Sequence, residues 1–102
     1  MKQINVFQIG CGKMSKYIMK YVLDLGGKIV GAVDIDPKKI GTDIGKIMEL
    51  DAQNVIIQNV EMLDSLLKET KPDIAIITTE SYLNDIENVV RCCVVNGVNV
   101  IT

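Results

Sequence analysis

Apolar, β-prone segments alternate with segments of helical periodicity along this 102-residue chain, and this alternation constrains the fold more than any other feature. The pattern predicts five strands, at residues 4–9, 28–34, 54–58, 73–78 and 98–101. It predicts helices at residues 14–25, 59–70 and 82–96, and a short or broken helix within residues 41–50. The strands are apolar throughout, which is typical of parallel strands that helices cover on both faces.

The order of these elements limits how the strands can be arranged. Strands and helices alternate, and right-handed crossovers leave few topologies for a parallel sheet. We therefore predict an α/β fold of the Rossmann type, a doubly wound parallel sheet of five strands in the order 3-2-1-4-5, as one domain spanning residues 1–102. The order reverses between strands 1 and 4, and ligands of such sheets bind there, at the carboxyl ends of the strands.

Local signals predict where helices begin and end. Asp36 is expected as an N-cap with Pro37 as the first helical residue, and Asn59 as a second N-cap. Gly26-Gly27 is expected to end the first helix. The apolar positions of that helix are Met14, Ile18, Tyr21, Val22 and Leu25.

The first strand leads into the turn Gly10-Cys11-Gly12-Lys13-Met14-Ser15, which nearly matches the G-x-G-x-x-G fingerprint. Gly10 allows a tight turn, and Gly12 lacks a Cβ, so that a pyrophosphate can approach the backbone. The following helix directs free N–H groups and its positive dipole end at the anion. Ser15 replaces the third glycine, either as a small packing residue or as an extra phosphate donor. The alternative for the whole stretch is a plain turn between strand and helix.

Asp34 ends the second predicted strand and follows Gly12 by 22 positions, close to the ~20 of the fingerprint. Its carboxylate can accept hydrogen bonds from both ribose hydroxyls of an adenosine and would repel a 2′-phosphate, which favours NAD(H). Lys38 and Lys39 follow closely and suit a 2′-phosphate, so NADP(H), or use of both cofactors, stays open. The alternatives are a solvated acid for Asp34 and solvated charges for both lysines.

Thr78 ends the fourth predicted strand and Thr79 follows it, across the crevice from the glycine turn, where a nicotinamide ribose would lie. Glu80 and Ser81 suit either this site or the start of the next helix, with Ser81 as its N-cap. Thr102 is expected beside the same crevice, near the nicotinamide.

The three cysteines and the lack of histidine narrow the chemistry. Cys11 lies at a helix N-terminus, where a thiol pKa tends to fall, which permits a redox-sensor hypothesis; the alternative is a small side chain that fills the turn. Cys92 and Cys93 are adjacent, which is no usable zinc spacing. An odd cysteine count forms no disulfide framework and favours a reducing cytoplasm. Without histidine, no Ser-His-Asp or Cys-His pair can form, and we expect no catalytic residue and no metal site.

The net charge of −2 argues against a general binder of nucleic acid or anionic membranes, which would need a basic field. No apolar run approaches the ~18 residues of a membrane span. We therefore expect neither nucleic acid nor a membrane as a partner.

Three stretches carry a family resemblance: IGCGKMSKYIMKYV, IVGAVDIDPKKIGTDIGKIM and DIAIITTESYLNDIENVVRCCVVNGVNVIT. They resemble the N-terminal dinucleotide domain of dihydrodipicolinate reductases and, more closely, of 2,4-diaminopentanoate dehydrogenases. The D-x-D-P-x-K-x-G-x-D-x-G run after the second strand is the most specific part. The resemblance implies that Gly10, Gly12 and the amides of Lys13, Met14 and Ser15 bind a pyrophosphate. It also implies that Asp34 meets the adenine ribose, and the Thr78-Thr79 loop the nicotinamide side.

The resemblance further implies hydride transfer between C4 of a nicotinamide and a carbon of a small amino acid or its cyclic imine. Members of this family continue into a second domain that binds the small-molecule substrate, supplies the proton-transfer groups and makes oligomer contacts. We therefore expect residues 1–102 to be a fragment that binds the dinucleotide without turnover. The main alternative is a stand-alone nucleotide sensor, like the regulatory domains of potassium transport systems. A domain that binds adenosylmethionine is a weaker alternative, because it would not need a helix that binds pyrophosphate.

Overall fold

The computed structural model describes residues 3–78 and 83–102, without the side chains of residues 83–85. Five strands form one parallel sheet: β1 (Asn5–Ile9), β2 (Lys28–Asp34), β3 (Gln58–Asn59), β4 (Ile74–Ile77) and β5 (Asn99–Ile101). The helices are α1 (Lys13–Asp24), α2 (Ile44–Met48), α3 (Leu63–Thr70) and α4 (Leu83–Val95), and a 3₁₀ turn (Val60–Met62) precedes α3. The strand order β3-β2-β1-β4-β5 confirms the predicted α/β Rossmann-type sheet and its reversal between β1 and β4.

Two apolar clusters cover the two faces of this sheet. Alternate side chains of β1 contribute to each cluster, because successive residues of a strand point to opposite faces. One cluster joins Phe7 and Ile9 of β1 to Leu63 and Leu67 of α3 and Cys93 of α4. The other joins Val6 of β1 to Met19 of α1 and to Ile44 and Met48 of α2. The central strand is therefore buried on both sides, and its carboxyl end is held where the glycine turn begins.

The inward face of α1 differs from the apolar pattern. Ser15 and Met19 are fully buried, whereas Met14, Tyr21 and Leu25 are 53%, 65% and 70% exposed. Residues four positions apart share one face of a helix, so the Ser15–Met19 stripe defines the side that meets the sheet. Because Ser15 is small, the helix can lie close to the sheet at this point. Of the other predicted positions, Ile18 and Val22 are half-buried, and Val22 packs against the cluster that contains Met19. Apolar periodicity therefore predicts the inward face only in part and misses its centre.

The predicted strand at residues 54–58 is wrong in its bounds, since β3 contains only Gln58–Asn59. The segment before it pairs with the chain that precedes α2. The Ile57 N–H donates to Thr42 O, and the Ile44 N–H donates to Val55 O, both at 2.9 Å. This antiparallel pairing satisfies backbone groups that a longer β3 would have offered to β2.

The predicted helix start at Asp36 and Pro37 is also wrong. Asp36 Oδ1 accepts a hydrogen bond from the Lys38 N–H (2.9 Å), and Asp36 O accepts one from the Lys39 N–H (3.0 Å). These bonds close a single turn, and Gly41 then takes a φ of 92°, which a helix cannot continue. The turn fixes the backbone of both lysines beside the end of β2.

Asp43, rather than Asp36, is the N-cap from which α2 begins. Its carboxylate accepts hydrogen bonds from the N–H groups of Gly45 (2.7 Å), Gln53 (2.8 Å) and Val55 (3.0 Å). Burial opposes ionisation of Asp43, but these backbone donors outweigh it and hold the pKa of the carboxyl below its ordinary value. One side chain thus ties the start of α2 to the segment that leads to β3.

Other predicted boundaries are confirmed within a residue or two. Asn59 Oδ1 accepts a hydrogen bond from the Glu61 N–H (2.9 Å), so Asn59 caps the turn that leads into α3. Gly26, with a φ of 87°, follows the end of α1 as expected. On α4, Cys93 is buried and Val94 is 64% exposed, which decides between the two residues at the inward position. The predicted helix start at Tyr82 lies outside the described residues.

Candidate functional site

The carboxyl end of β1 turns sharply into α1. Gly10 has a φ of 93°, a conformation that L side chains rarely adopt, so the backbone itself requires glycine there. The Gly10 N–H donates to Val33 O of β2 at 2.9 Å, which fixes the turn against the neighbouring strand. Gly12 is the N-cap residue of α1, and no side chain caps this helix.

All eight glycines of the chain lie in the described residues. Gly12 is the one among them at which neither the backbone conformation nor the neighbouring atoms require a glycine. Four have a positive φ: Gly10, Gly26, Gly41 and Gly97. At three others an added Cβ would crowd existing atoms: Gly27, Gly31 and Gly45. Gly12 has a φ of −79°, which any residue adopts, and an added Cβ would meet no heavy atom within 4 Å. The space in front of Gly12 is open, as a ligand approaching the backbone would require.

The amides that begin α1 are available to an anion. Within residues 3–78 and 83–102, the N–H groups of Gly12, Lys13 and Met14 donate to no protein acceptor. The Ser15 N–H donates to Gly12 O at 3.1 Å. The first turn of α1 contains no acidic side chain that would compete for the amides. The helix dipole adds positive potential at the same point.

The Asp34 carboxylate holds the glycine turn to the end of β2. Its Oδ2 accepts a hydrogen bond from the Cys11 N–H (2.8 Å), and its Oδ1 accepts from the N–H groups of Ile35 (2.6 Å) and Asp36 (3.1 Å). Asp34 is only 7% exposed. A ribose contact, as predicted from the sequence, would therefore depend on the lone pairs that these three donors leave.

Ser15 lies beneath the glycine turn rather than at its surface. It is fully buried, and its Oγ donates to Gly12 O at 2.6 Å. Because the hydroxyl hydrogen is used inside the turn, it is not free to bind a phosphate oxygen. Of the two roles predicted for Ser15, this geometry favours the small packing residue.

Of the two interpretations of Cys11, the structure supports the small side chain that fills the turn. The side chain is 1% exposed, and burial, followed by the Asp34 carboxylate, raises the pKa of the thiol to about 12, while the nearby Lys39 charge acts in the opposite direction. Desolvation of a thiolate thus outweighs the helix N-terminus. Cys11 fills the turn as a small side chain, and the redox-sensor hypothesis loses its chemical basis.

An open pocket of about 480 Å³ lies in front of the glycine turn. Five of the eleven lysines and arginines in the chain line it: Lys13, Lys16, Lys38, Lys39 and Lys46. Glu49 is the acidic residue in the lining, and Lys16 Nζ pairs with it at 2.9 Å. We call this cavity the basic pocket. It concentrates positive charge in a chain whose net charge is −2.

The basic pocket brings together three of the predicted site residues: Gly12, Lys13 and Lys38. Met14 is 53% exposed on the helix surface and is not part of the lining. Thr78 contacts the turn from the other side, since its Oγ1 donates to Gly10 O at 3.0 Å. Thr79 lies outside the described residues.

Thr102 directly follows β5 and is exposed. The register of β5 on β4 and of β4 on β1 places Thr102 level with the carboxyl end of β1, two strands away from it. With a spacing of ~4.8 Å between strands, this is roughly 10 Å from the glycine turn. Thr102 is therefore at the predicted edge of the sheet without touching the turn.

Gln8 is the site-forming residue that sequence reasoning missed. It is fully buried in β1, and its Nε2 donates to Gly10 O (2.8 Å) and to Thr78 Oγ1 (2.9 Å). Its Oε1 has no hydrogen-bond partner among the described residues. The available signal was a polar residue within an otherwise apolar strand, two positions before the turn.

Several residues that line the basic pocket were not among the predicted site residues. Lys16 and Tyr17 follow from α1 periodicity once Lys13 is placed, because residues three and four positions apart lie on one face. Thr42, Lys46 and Glu49 reach the pocket only because α2 packs beside α1, which no local pattern indicates.

Two further observations concern metal ions and membranes. Within residues 3–78 and 83–102, no group of three or more cysteine, aspartate or glutamate side chains is placed to hold a metal ion. In the same part of the chain, no helix combines the length and the apolar character needed to cross a membrane.

The fold and the site define a doubly wound α/β domain with a glycine turn and a basic pocket suited to an anionic ligand. The chain belongs to the CoA binding domain family, which matches residues 1–102. It is similar to the 4-hydroxy-tetrahydrodipicolinate reductase of Methanocaldococcus jannaschii, at 33% identity over 93 residues, which are 88% of this chain and 33% of the reductase. The predicted resemblance to dihydrodipicolinate reductases is thereby confirmed.

The chain is also similar to solved structures. The amine dehydrogenase of Mycobacterium smegmatis is 34% identical with a TM-score of 0.86, over 97% of this chain and 29% of that one. RSP, a Rex-family repressor, is 23% identical with a TM-score of 0.75, over 95% of this chain and 43% of that one, and this likeness concerns the fold alone. The chain spans about a third of the length of the reductase and of the amine dehydrogenase.

Proposed function

We propose that residues 1–102 form the nicotinamide-dinucleotide-binding domain of an oxidoreductase. The observation that carries this proposal is Gly12, where neither backbone torsion nor neighbouring atoms require glycine and where the open space meets free amides. A pyrophosphate that approaches the backbone accounts for both features. The reductase and dehydrogenase named among the relatives support an oxidoreductase.

The chain supplies binding and orientation in this proposal. The N–H groups of Gly12, Lys13 and Met14 hold the pyrophosphate, and the adenosine end lies toward Asp34 and the basic pocket. The nicotinamide end lies toward Thr78 and Thr102, on the other side of the reversal in strand order, and a contact with Thr79 stays a prediction from the sequence. When bound, the nicotinamide supplies hydride chemistry, while the protein positions it and tunes its surroundings.

The substrate is proposed to be a small amino acid or a cyclic imine, as for a dihydrodipicolinate reductase or a 2,4-diaminopentanoate dehydrogenase. Groups that bind this substrate and transfer protons would belong to a second domain, which also makes oligomer contacts. The isolated chain is then expected to bind cofactor without turnover. A cytoplasmic location, expected from the cysteines, stays a prediction.

The alternative of a nucleotide-sensing regulatory domain rests on fold alone. RSP structures include a complex with β-NADH and one with β-NAD⁺ and operator DNA. The basic pocket opens on the glycine turn of this chain, which suits a small anion, and we do not propose nucleic acid as a partner.

Calorimetric titration of the purified chain tests the proposal. We expect NADH or NADPH to bind, adenosylmethionine to bind far more weakly, and Gly12→Val to lose the dinucleotide while it keeps its circular dichroism spectrum. Gly26→Ala lies at the far end of α1, and its φ of 87° strains the alanine although the added Cβ meets no atom, so it controls for a loss of stability that leaves the glycine turn unchanged. Equal dinucleotide affinity for Gly12→Val and the unchanged chain would overturn the proposed pyrophosphate site.

A further inference from the structure

The basic pocket contains five lysines, which is more positive charge than is needed to bind a pyrophosphate that already contacts three backbone amides. We infer that it binds a phosphate monoester on the 2′ position of the adenosine ribose, so that the chain selects NADP(H) over NAD(H). This inference rests on the proposed dinucleotide-binding function and names the form of cofactor that it takes. It reverses the preference that the position of Asp34 in the sequence favours.

Four of the five lysines in the pocket have no anionic partner of their own. Within the part of the chain that the structure describes, the ion pairs involve Lys16, Lys68 and Arg91, so Lys13, Lys38, Lys39 and Lys46 carry unpaired charges. Like charges gathered around one cavity repel each other, and an anion in the cavity would relieve that repulsion. Glu49 neutralises Lys16 but lies at the side of the pocket formed by α1 and α2.

The backbone of Lys38 and Lys39 is held in place by Asp36, which accepts hydrogen bonds from both of their N–H groups. Lys39 is also near enough to the turn for its charge to act on the Cys11 thiol. These two lysines therefore extend from a fixed turn at the end of β2. In a doubly wound sheet, the adenosine ribose lies at this strand end.

Asp34 does not repel such a phosphate as strongly as its sequence position suggests. Its two carboxylate oxygens already accept hydrogen bonds from Cys11, Ile35 and Asp36, and it is 7% exposed. Those donors offset its negative charge on the side of the turn. On the side of the ribose that faces the basic pocket, the charged groups nearest the phosphate are lysines, which bind phosphate as point charges.

A 2′-phosphate carries roughly −1.5 to −2 charges at neutral pH, since its second pKa is ~6. Charge-assisted hydrogen bonds from two engaged lysines, weakened by the solvent that reaches these side chains, would favour NADPH over NADH by about tenfold. Because the lysines are at least partly exposed, added salt will weaken NADPH binding more than NADH binding.

The test is a calorimetric titration of the purified chain with matched ligand pairs: NADPH against NADH, and 2′,5′-ADP against 3′,5′-ADP. We expect the first member of each pair to bind about tenfold or more tightly. Lys38→Gln and Lys39→Gln should each reduce NADPH affinity several-fold more than NADH affinity. Lys28→Gln, at the opposite end of β2, removes the same charge outside the pocket and should leave both affinities unchanged.

The outcomes separate this inference from the proposed function. Equal binding of NADPH and NADH would overturn the phosphate subsite but leave the dinucleotide domain intact. Tighter binding of 3′,5′-ADP than 2′,5′-ADP, with coenzyme A bound better than NADPH, would also overturn it and would assign the pocket to coenzyme A. Failure of both dinucleotides to bind would overturn the proposed function, and the inference with it.

Discussion

Gln8 Nε2 donates a hydrogen bond of 2.9 Å to Thr78 Oγ1, across the point where the strand order of the sheet reverses. Both side chains also donate to Gly10 O, at 2.8 Å from Gln8 and 3.0 Å from Thr78. Neither residue lines the basic pocket. The turn that presents its amides to the pocket is therefore fixed by polar side chains that stand outside the pocket.

Replacing Thr78 tests this anchoring. Thr78→Val keeps the shape of the side chain but removes the hydroxyl, so that Gln8 Nε2 loses one acceptor and Gly10 O loses one donor. We expect the free energy of unfolding to fall by about 1–2 kcal/mol, measured by urea denaturation. Thr78→Ser retains the hydroxyl and should lose less. An equal loss in both variants would show that packing of the methyl group matters, rather than the hydrogen bonds.

Much of the fold could be predicted because β1, β2 and β4 are largely apolar and are separated by segments of helical period. The region before α3 could not, since Val55 and Ile57 pair with Ile44 and Thr42 rather than with β2. That choice depends on which backbone partner lies nearest in space, and apolar character alone does not distinguish the two. The centre of the inward face of α1 was missed for a related reason, because a small polar residue, Ser15, faces the sheet.

The candidate site also has parts that could be predicted from the sequence and parts that could not. Gly10, Gly12 and Asp34 could be located from their spacing, because the backbone of a strand–turn–helix unit sets that spacing. The hydrogen-bond partners of Asp34 could not be predicted, since they arise from backbone N–H groups that any sequence carries. Lys46 could not be assigned to the pocket either, because it depends on how α2 packs against α1.

Two glycine substitutions should distinguish a glycine that faces open space from a glycine that is packed against a side chain. An alanine Cβ at position 12 meets no atom, so Gly12→Ala should lower the free energy of unfolding by less than about 1 kcal/mol, chiefly through the N-cap. An alanine Cβ at position 31 would collide with the Phe7 ring, and Gly31→Ala should cost about 1–3 kcal/mol. Urea denaturation measures both changes. A loss for Gly12→Ala as large as that for Gly31→Ala would contradict the open space at Gly12.

Asp43 should make the chain sensitive to acid. Because its folded pKa lies below the ordinary ~3.9, the ionised carboxylate stabilises the fold above that pH, and the contribution is lost as the pH falls through the folded pKa. Asp43→Ala should lower the free energy of unfolding at neutral pH by about 2 kcal/mol, since three backbone N–H groups lose their acceptor.

Thermal unfolding from neutral pH down to about pH 3 checks this expectation. The difference in stability between the unchanged chain and Asp43→Ala should shrink as the pH falls below ~4. Asp24→Asn, at an exposed site at the end of α1, is the control and should change stability by less than about 0.5 kcal/mol. A difference that stays constant with pH would show that the charge of Asp43 does not stabilise the fold.

The three cysteines should differ in reactivity, with Cys92 alkylated first. Burial raises the pKa of Cys11 to about 12 and that of Cys93 to about 11, and both side chains are buried. Burial and the Asp64 carboxylate also raise the pKa of Cys92, but this residue is only half-buried, which leaves it more accessible than the other two. Since the thiolate is the nucleophile, brief treatment with iodoacetamide at about pH 8 should label Cys92 ahead of the other two.

Mass spectrometry of peptides, with fragment spectra to separate Cys92 from Cys93, reads out the labelled site. In guanidinium chloride all three thiols should react at similar rates, because unfolding removes the burial that suppresses Cys11 and Cys93. Dinucleotide added before the reagent should leave the labelling of Cys92 unchanged, since Cys92 lies on α4, away from the glycine turn. Early alkylation of Cys11 in the folded chain would contradict its burial and would restore the hypothesis of a redox-sensitive turn.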